Sequence, residues 1–482
     1  MRSRLRLAAF ATAAFCAGAS VCPAGEQDGQ LQQQVAAAAQ ELETAAAAKA
    51  GVSVLDLGTG RPVVEVRSGE LFIPASNQKI LTSAFALARL GGQGQFTTAV
   101  YSLDGNLVVA GNGDPTIGDT LLAEADGKTI YWQLDEWAQA VRQKLGAKIG
   151  DLIVVVSGPG EPFRHPDWPQ GQWGNWYAAP VASLNFNNNC FDISFSVTGG
   201  TANPEVSPVS RFIKVVNNVN VGQRQVWSAS SSSDDSVLTI TGTIATGTSE
   251  PTSVAANNPP MLLGWVLADR LARAGVEMGG TVRSLDHEGV DWSKAVRVAG
   301  TSTPLATVMA RANKRSLNMA AECMFLNAGD GTWDGSAKLM AQTLRDSYGL
   351  DDAAFVVRDG GGLSRGNRVT PEALTSVLRQ IAARNDAKVF LDSLPVSGED
   401  GTLHRRLVGE SYRQRVLAKT GYIAGVSALS GYILDGEGAP ALAFSILLND
   451  VKSTRRAKAF QDDICRMLVD HLEAQGAPAA AK

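Results

Sequence analysis

The segment Ser76-Asn77-Gln78-Lys79 constrains the fold of this chain more than any other part of its sequence. It opens an apolar stretch whose spacing over residues 80–88 predicts a buried helix that stops at the glycines 91–92. Residues three apart on a helix share a face, so the Lys79 amine can reach the Ser76 hydroxyl. The spacing alone also fits an ordinary solvated helix start. The prediction of a nucleophile with its base therefore depends on further residues.

Two later segments supply those residues, Ser316-Leu317-Asn318 and then Lys419-Thr420-Gly421. Ser316 and Asn318 are two positions apart, which suits a loop between predicted helices at 304–311 and 319–326. From such a loop Ser316 can relay a proton between a leaving amine and a lysine, and the Asn318 amide can hold a substrate carbonyl. Taken alone, the serine would be interpreted as a helix cap.

The segment Lys419-Thr420-Gly421 falls in a strand pattern, where a glycine often marks a close approach of another backbone. We expect Gly421 to let a substrate backbone lie alongside the strand. Lys419 and Thr420 would hold a terminal carboxylate through one charge and one hydrogen bond. The alternative is an edge strand with a solvated lysine.

Lys79 can act as a base only when it is neutral, so its pKa must be lowered. Burial, the positive end of the helix dipole and a second cation all act in this direction, and Lys419 is the natural second cation. A developing oxyanion needs hydrogen-bond donors as well. We expect these to be the backbone N–H groups of Ser76 and Tyr422.

The segment Gly362-Leu363-Ser364-Arg365-Gly366 matches G-x-S-x-G and offers a second nucleophile, with Asp400 and His404 downstream. That motif requires a strand that runs directly into a helix. Here residues 367–371 intervene before the next predicted helix, so we favour Ser76 as the nucleophile.

Composition excludes several classes of function. The chain has 482 residues, of which 45% are hydrophobic and 19% charged, and its formal net charge is −4. These values fit a globular protein with more than one core and provide no basic surface for nucleic acid. Four histidines without an H-E-x-x-H segment argue against a zinc hydrolase, so we expect neither a metal nor a cofactor.

Residues 1–19 have the pattern of an export signal: arginines, a short apolar run, and the small residues Ala17-Gly18-Ala19. We expect cleavage after Ala19, or after Ala24, which would leave no transmembrane anchor. The mature protein would then lie in the periplasm or another extracytoplasmic compartment. An uncleaved N-terminal anchor is the alternative.

The order of elements predicts an α/β (α+β) fold. Strands at 52–57 and 63–66 and three more over 415–448 predict an N-terminal hairpin and a C-terminal meander in one antiparallel sheet, with helices packed on it. Residues 93–296 are rich in short strands and turn residues, which predicts a β-rich insertion of two small nested domains. Residues 28–92 and 297–482 would form the main domain.

The three segments, together with residues 113–116, 359–365 and 395–403, resemble those of class C low-molecular-mass penicillin-binding proteins, the D-alanyl-D-alanine carboxypeptidase/endopeptidase family. The segments follow in the family's order. The likeness runs from the N-terminal hairpin to the last helix, and it includes the long insertion before Ser316.

The resemblance implies the fold of serine β-lactamases and DD-peptidases, interrupted by a double insertion. It implies an extracytoplasmic serine peptidase that cleaves D-Ala-D-Ala or D-Ala-meso-diaminoacyl bonds in peptidoglycan stem peptides. Ser76 would attack, Lys79 would accept its proton, Ser316 would relay a proton, and β-lactams would acylate Ser76. Self-association into a homo-oligomer is left open.

Three departures from the family pattern bear on these expectations. Leu317 replaces an acid, Gly361 replaces a serine, and residues 152–161, apart from Glu161 at their end, lack the family's acids that could contact the amino group of a diaminoacyl side chain. Two other functions therefore stay open. One is a β-lactamase or esterase on the same fold, and the other, suggested by Leu317, is a penicillin-binding cell-wall scaffold that does not hydrolyse its ligand.

Overall fold

The structure is a computed structural model that describes residues 24–46, 48–158, 160 and 162–476. The predicted signal peptide at 1–19 lies outside the described residues. Within the described part of the chain, no helix is long and apolar enough to cross a membrane.

Helices occur along the whole described chain. In order they are α1 (Ala24–Ala46), α2 (Gln78–Leu90), α3 (Thr120–Ala125), α4 (Trp132–Leu145), α5 (Pro259–Arg273), α6 (Leu305–Lys314), α7 (Asn318–Ala328), α8 (Trp333–Tyr348), α9 (Pro371–Ala382), α10 (Ala387–Leu391) and α11 (Thr454–Gly476). The sequence signal at the start of α9 is confirmed, because Thr370 Oγ1 accepts the Ala373 N–H at 3.1 Å and Pro371 occupies the first turn.

The strands form a main sheet, the sheets of the insertion and one separate two-stranded sheet over residues 355–369. In chain order they are β1 (Lys49–Asp56), β2 (Pro62–Val66), β3 (Gln95–Leu103), β4 (Asn106–Gly111), β5 (Lys148–Ile149), β6 (Leu152–Val156), β7 (Cys190–Thr198), β8 (Thr201–Ser207), β9 (Lys214–Val221), β10 (Val226–Ser231), β11 (Val237–Ile244), β12 (Thr252–Ala255), β13 (Glu277–Met278), β14 (Val282–Asp286), β15 (Val296–Pro304), β16 (Phe355–Val356), β17 (Arg368–Val369), β18 (Val416–Ile423), β19 (Val426–Leu434) and β20 (Pro440–Asn449).

The main sheet has the strand order β18-β19-β20-β1-β2, and all its neighbours are antiparallel. The N-terminal hairpin and the C-terminal meander therefore share one sheet, as predicted. They join where β1 pairs with β20, with Val52 opposite Ile446. The predicted fold class, helices on an antiparallel sheet, is confirmed.

Helices cover both faces of this sheet. Successive residues of β20 alternate between two apolar cores, with Ala443 and Leu447 facing α2, α7 and α9 while Phe444 and Ile446 face α1 and α11. Helix α2 lies inside the first core and is buried from Gln78 to Leu87. The residues just before α2 are consequently held between the sheet and the other helices.

The insertion is built around a second five-stranded sheet of order β14-β6-β4-β3-β15. Strands β14, β6 and β4 run parallel to one another, and α4 and α5 pack beside them. Two three-stranded sheets, β12-β7-β8 and β10-β11-β9, and the short parallel pair β13-β5 complete it. Strand β15 ends at Pro304 and α6 begins at Leu305, so the insertion leads directly into the helix that precedes Ser316.

Candidate active site

Ser76 lies in a 3-10 turn, Ala75–Asn77, directly before α2. Ala75 has a positive φ of 46°, a conformation that L-residues seldom adopt outside tight turns. The carbonyl of Ala75 packs against Gly362, where a Cβ atom would lie 1.9 Å from the Ala75 oxygen. Only glycine permits this approach, so the loop that carries Gly362 supports the turn directly.

Asn77 ties the same turn to the sheet. Its side chain is fully buried, donates from Nδ2 to the Lys419 carbonyl at 2.8 Å, and accepts the Ser430 hydroxyl at Oδ1 at 2.6 Å. A buried amide with both ends bonded fixes its neighbours firmly. Ser76 is therefore held against β18 and β19 before any ligand binds.

The Lys79 side chain is fully buried and has three hydrogen-bond partners. Its Nζ lies 3.1 Å from Ser76 Oγ, 2.6 Å from Asn318 Oδ1 and 2.7 Å from the Gly361 carbonyl oxygen. The predicted Ser76–Lys79 pair is thus in contact. Residues from α7 and from the loop before β17 complete the surroundings of the amine.

Burial lowers the pKa of Lys79 to about 8, against the opposing negative charges of Glu322 and Asp359. Of the three causes expected from the sequence, burial is the one that lowers the pKa of Lys79. Burial also lowers the pKa of Lys419 well below its usual range, and the charge of Lys79 adds to this. The two buried amines therefore disfavour being charged at the same time.

Ser316 and Lys419 form the second corner of the site. Ser316 lies between α6 and α7 with a positive φ of 57°, and its hydroxyl accepts from Lys419 Nζ at 2.9 Å. Lys419 also donates to the Thr420 carbonyl at 2.7 Å, and Thr420 Oγ1 donates to Thr402 Oγ1 at 2.8 Å. Thr402 belongs to a segment that the sequence did not assign to the site.

Asn318 is the first residue of α7 and its amide bridges two parts of the fold. The oxygen accepts from Lys79, while Nδ2 donates to the Tyr177 carbonyl of the insertion at 2.7 Å. Leu317, between the two polar residues, is buried in the apolar core that contains α2. The acid that Leu317 replaces is therefore not needed to bring Ser316 and Asn318 into position.

A close approach occurs at Gly421, and the neighbour is the chain itself. A Cβ atom there would lie 3.0 Å from the Pro74 carbonyl oxygen and 3.1 Å from the Ser76 nitrogen. This distance is tighter than ordinary van der Waals contact. The glycine of the third segment thus lets β18 pack against the turn of the nucleophile.

Tyr422 lies on the outer strand of the sheet, and its side chain is 59% exposed. Val416 and Ala418 on the same strand direct backbone bonds outward, to residues 395–397. Backbone groups alternate in direction along a regular strand, so the N–H of Tyr422 points out of this same open edge. That direction suits a donor to an oxyanion beside Ser76.

A cavity of about 440 Å³ opens above Ser76. Its lining combines residues from the predicted segments with others that the sequence did not single out for this site. The additional residues are Pro169, Gln172, Trp176 and Tyr177 from the insertion, and Gly362, Leu363, Arg365, Ile423 and Ala424 from the main domain. One wall of the cleft is therefore supplied by the insertion, and the described lining contains no carboxylate.

Ser364, the alternative nucleophile, is fully buried in the loop between β16 and β17. Its hydroxyl donates to Asp167 Oδ2 at 3.0 Å, and His404 is bonded at Nδ1 to the Gly401 carbonyl. Ser364 thus links the insertion to the main domain.

In the described chain, no group of three or more His, Cys, Asp or Glu side chains is arranged to hold a metal ion.

The comparisons with known proteins identify the family. The chain belongs to the D-Ala-D-Ala carboxypeptidase 3 (S13) family, which it matches over residues 31–470. It is 32% identical over 470 residues to the D-alanyl-D-alanine carboxypeptidase of Actinomadura sp. (strain R39), covering 90% of this chain and 84% of that protein. The predicted family and enzyme class are confirmed, and the protein is a hydrolase of the DD-peptidase type.

Two solved structures confirm the fold. Both are of penicillin-binding protein 4 (dacB) from Haemophilus influenzae, and the second is complexed with a β-lactam. At 24% identity they have TM-scores of 0.75 and 0.70, and each comparison covers 90% of this chain and 99% of the other.

Proposed function

We propose that this protein hydrolyses D-Ala-D-Ala and D-Ala-meso-diaminoacyl bonds of peptidoglycan stem peptides outside the cytoplasm, through an acyl-enzyme on Ser76. Family membership supports the substrate class. The mechanism is supported above all by one observation, the 3.1 Å contact between the Nζ of fully buried Lys79 and the Oγ of half-buried Ser76.

The partners of Lys79 also suit its neutral form. Asn318 Oδ1 and the Gly361 carbonyl can only accept hydrogen bonds, so they take the two N–H groups of a neutral amine. The lone pair then faces Ser76, which is the only one of the three with a proton to give. A neutral Lys79 is thereby aimed at the hydroxyl that it must deprotonate.

The acylation step follows from this arrangement. Ser76 Oγ attacks the carbonyl carbon of the penultimate D-Ala while its proton passes to Lys79. The N–H groups of Ser76 and Tyr422 stabilise the oxyanion that forms. The C–N bond then breaks, and Ser316 relays to the leaving amine the proton that Lys79 took up. An ester of Ser76 remains, with Lys79 neutral again.

Lys419 and Thr420 hold the terminal carboxylate of the substrate. A bound carboxylate favours the ammonium form of Lys419, and this positive charge then favours the neutral form of Lys79. Substrate binding would thus prepare the base. Asn318 has one amide N–H already bonded to Tyr177, which leaves its second N–H for a substrate carbonyl.

Water completes the reaction by attacking the ester carbon, which releases the acid and restores the Ser76 hydroxyl. Lys79 and Ser316 are both placed to accept the proton of this water. β-Lactams would acylate Ser76 by the same attack, with opening of the ring amide. The leaving nitrogen would stay attached to the adduct and would delay hydrolysis.

The test is release of D-alanine from a synthetic pentapeptide that ends in D-Ala-D-Ala. We expect release by the wild type and by the Ser364→Ala variant, and none by the Ser76→Ala variant. Release that survives Ser76→Ala and is lost with Ser364→Ala would refute the proposal. Penicillin binding without any release would favour the scaffold, and rapid turnover of penicillin would favour the β-lactamase or esterase.

A further inference from the structure

Glu322 lies one turn after Asn318 on α7 and is fully buried. Each of its carboxylate oxygens accepts one backbone N–H, Oε1 from Gly361 and Oε2 from Gly360, both at 2.7 Å. A protonated carboxyl would place its own hydrogen against one of these donors. Burial and the charge of Asp359 raise the pKa of Glu322 well above its usual value, while the two N–H donors and Lys79 act in the opposite direction and favour the ionised form.

A second buried carboxylate continues the pattern. Asp359 Oδ1 accepts the Gly362 N–H at 2.8 Å, so two carboxylates hold three successive N–H groups. The carbonyls of these peptides point the other way, toward α2. Gly360 accepts from Thr82 Oγ1 at 2.7 Å and Gly361 accepts from Lys79 Nζ at 2.7 Å.

Planarity of the peptide bond makes this arrangement directional. The Gly361 carbonyl and the Gly362 N–H belong to one planar unit, so holding the N–H aims the carbonyl. Glu322 holds the preceding unit through the Gly361 N–H. The Cα atom of Gly361 joins the two units, so displacing Glu322 would move the Gly361 carbonyl through that shared atom, while Asp359 holds the unit of the carbonyl itself.

Charge gives Glu322 a second effect on the same amine. The charged groups that face Lys79 are Glu322 on α7, Asp359 in the loop and Lys419 on β18. A buried ammonium is costly without a counter-charge nearby. The negative charge of Glu322 raises the pKa of Lys79 and stabilises the ammonium that forms when Lys79 takes a proton.

We propose that Glu322 is a positioning residue for the general base, which orients the Gly361 carbonyl on Lys79 and stabilises the ammonium formed during acylation. The inference rests on the proposed function, in which Lys79 accepts the proton of Ser76. Glu322 itself touches neither the substrate nor Ser76.

Two substitutions differ in whether they keep the charge. Glu322→Gln removes the charge and sets an NH2 group against one of the two N–H donors, while Glu322→Asp keeps the charge and shortens the reach to both N–H groups. The assay is the second-order rate of labelling by a fluorescent penicillin between pH 6 and 9.5. Each profile gives a plateau, which is the maximum labelling rate at high pH, and a midpoint, which is the lower pH at which the rate is half of that maximum.

We expect the plateau of both variants to fall about tenfold or more, in line with the contribution of a well-placed general base. The midpoint should move to lower pH in Glu322→Gln, because loss of the anion lowers the pKa of Lys79, and should move less in Glu322→Asp. A merely structural role would lower both plateaus and leave both midpoints in place. That result, or unchanged profiles, would overturn the inference.

Gly361→Ala provides an independent variant should Glu322→Gln fail to fold by near-ultraviolet circular dichroism. A Cβ atom at Gly361 would lie 2.7 Å from Glu322 Oε1 and would displace the carboxylate. We expect a reduced plateau here too, and a plateau equal to that of the wild type would contradict the inference. Penicillin labelling that persists in the Ser76→Ala variant would instead refute the proposed function itself. The two failures are therefore distinguishable.

Discussion

The burial of Lys79 predicts a steep pH dependence of acylation. With a pKa of about 8, roughly 10% of Lys79 is neutral at pH 7 and about 90% at pH 9, so the labelling rate should rise about tenfold between these values. An exposed lysine with a pKa near 10.4 would be only about 0.04% neutral at pH 7. Burial thus increases the reactive form about 200-fold at neutral pH.

The measurement is the stopped-flow rate of labelling by a fluorescent penicillin at low penicillin concentration, in half-unit steps from pH 6 to 9.5. The final extent of labelling at each pH serves as the control, since it should stay constant while the protein remains folded. The Lys79→Ala variant should show no comparable rise. A wild-type rate that is flat between pH 7 and 9, or that falls, would refute the assignment of Lys79 as the base.

Three further predictions follow from particular contacts. Trp168 Nε1 donates to buried Asp359 at 2.9 Å, so Trp168→Phe should lower the free energy of unfolding in urea by about 1–3 kcal/mol. Trp176→Phe, at an exposed residue, should change it by less than about 0.5 kcal/mol, and equal effects of the two substitutions would contradict the prediction. Gly421→Ala should slow penicillin labelling about tenfold or more, because the added Cβ atom displaces Ser76. Gly436→Ala, where a Cβ atom meets open space, should leave the rate unchanged, and equal rates for the two variants would contradict the close packing of Gly421 against Ser76. The described cavity lining holds no carboxylate, so N-acetylation of the diaminoacyl side chain of a pentapeptide substrate should change the KM for D-alanine release by less than about threefold. A large rise in KM would show that the free amine is recognised.

The fold and the core of the site could be predicted because their signals are local. The strands of the meander are apolar runs separated by turn residues, and the chemistry of the site requires particular residue types, as in Ser76 with Lys79. The order of the three segments then indicated that distant parts of the chain meet. These signals were sufficient to bring Ser316 and Lys419 into the same hypothesis.

The remaining features depend on contacts between positions far apart in the chain. Asn318 and Tyr177 are separated by 141 positions, and the backbone carbonyl of Tyr177 carries no sequence signal. Glu322 has the appearance of an ordinary helical acid until the loop at 359–362 packs against it. At Gly421 the sequence indicated a close approach, but it could not tell that the neighbour is the turn of Ser76.

The central claim is that Ser76 carries the acyl group, and mass spectrometry tests it most directly. After brief exposure to penicillin, the intact protein should gain the mass of one penicillin, and digestion should locate the adduct on the peptide that contains Ser76. Ser76→Ala should remove the adduct and Ser364→Ala should retain it. An adduct on Ser364, or the absence of any covalent adduct on folded wild-type protein, would contradict the account.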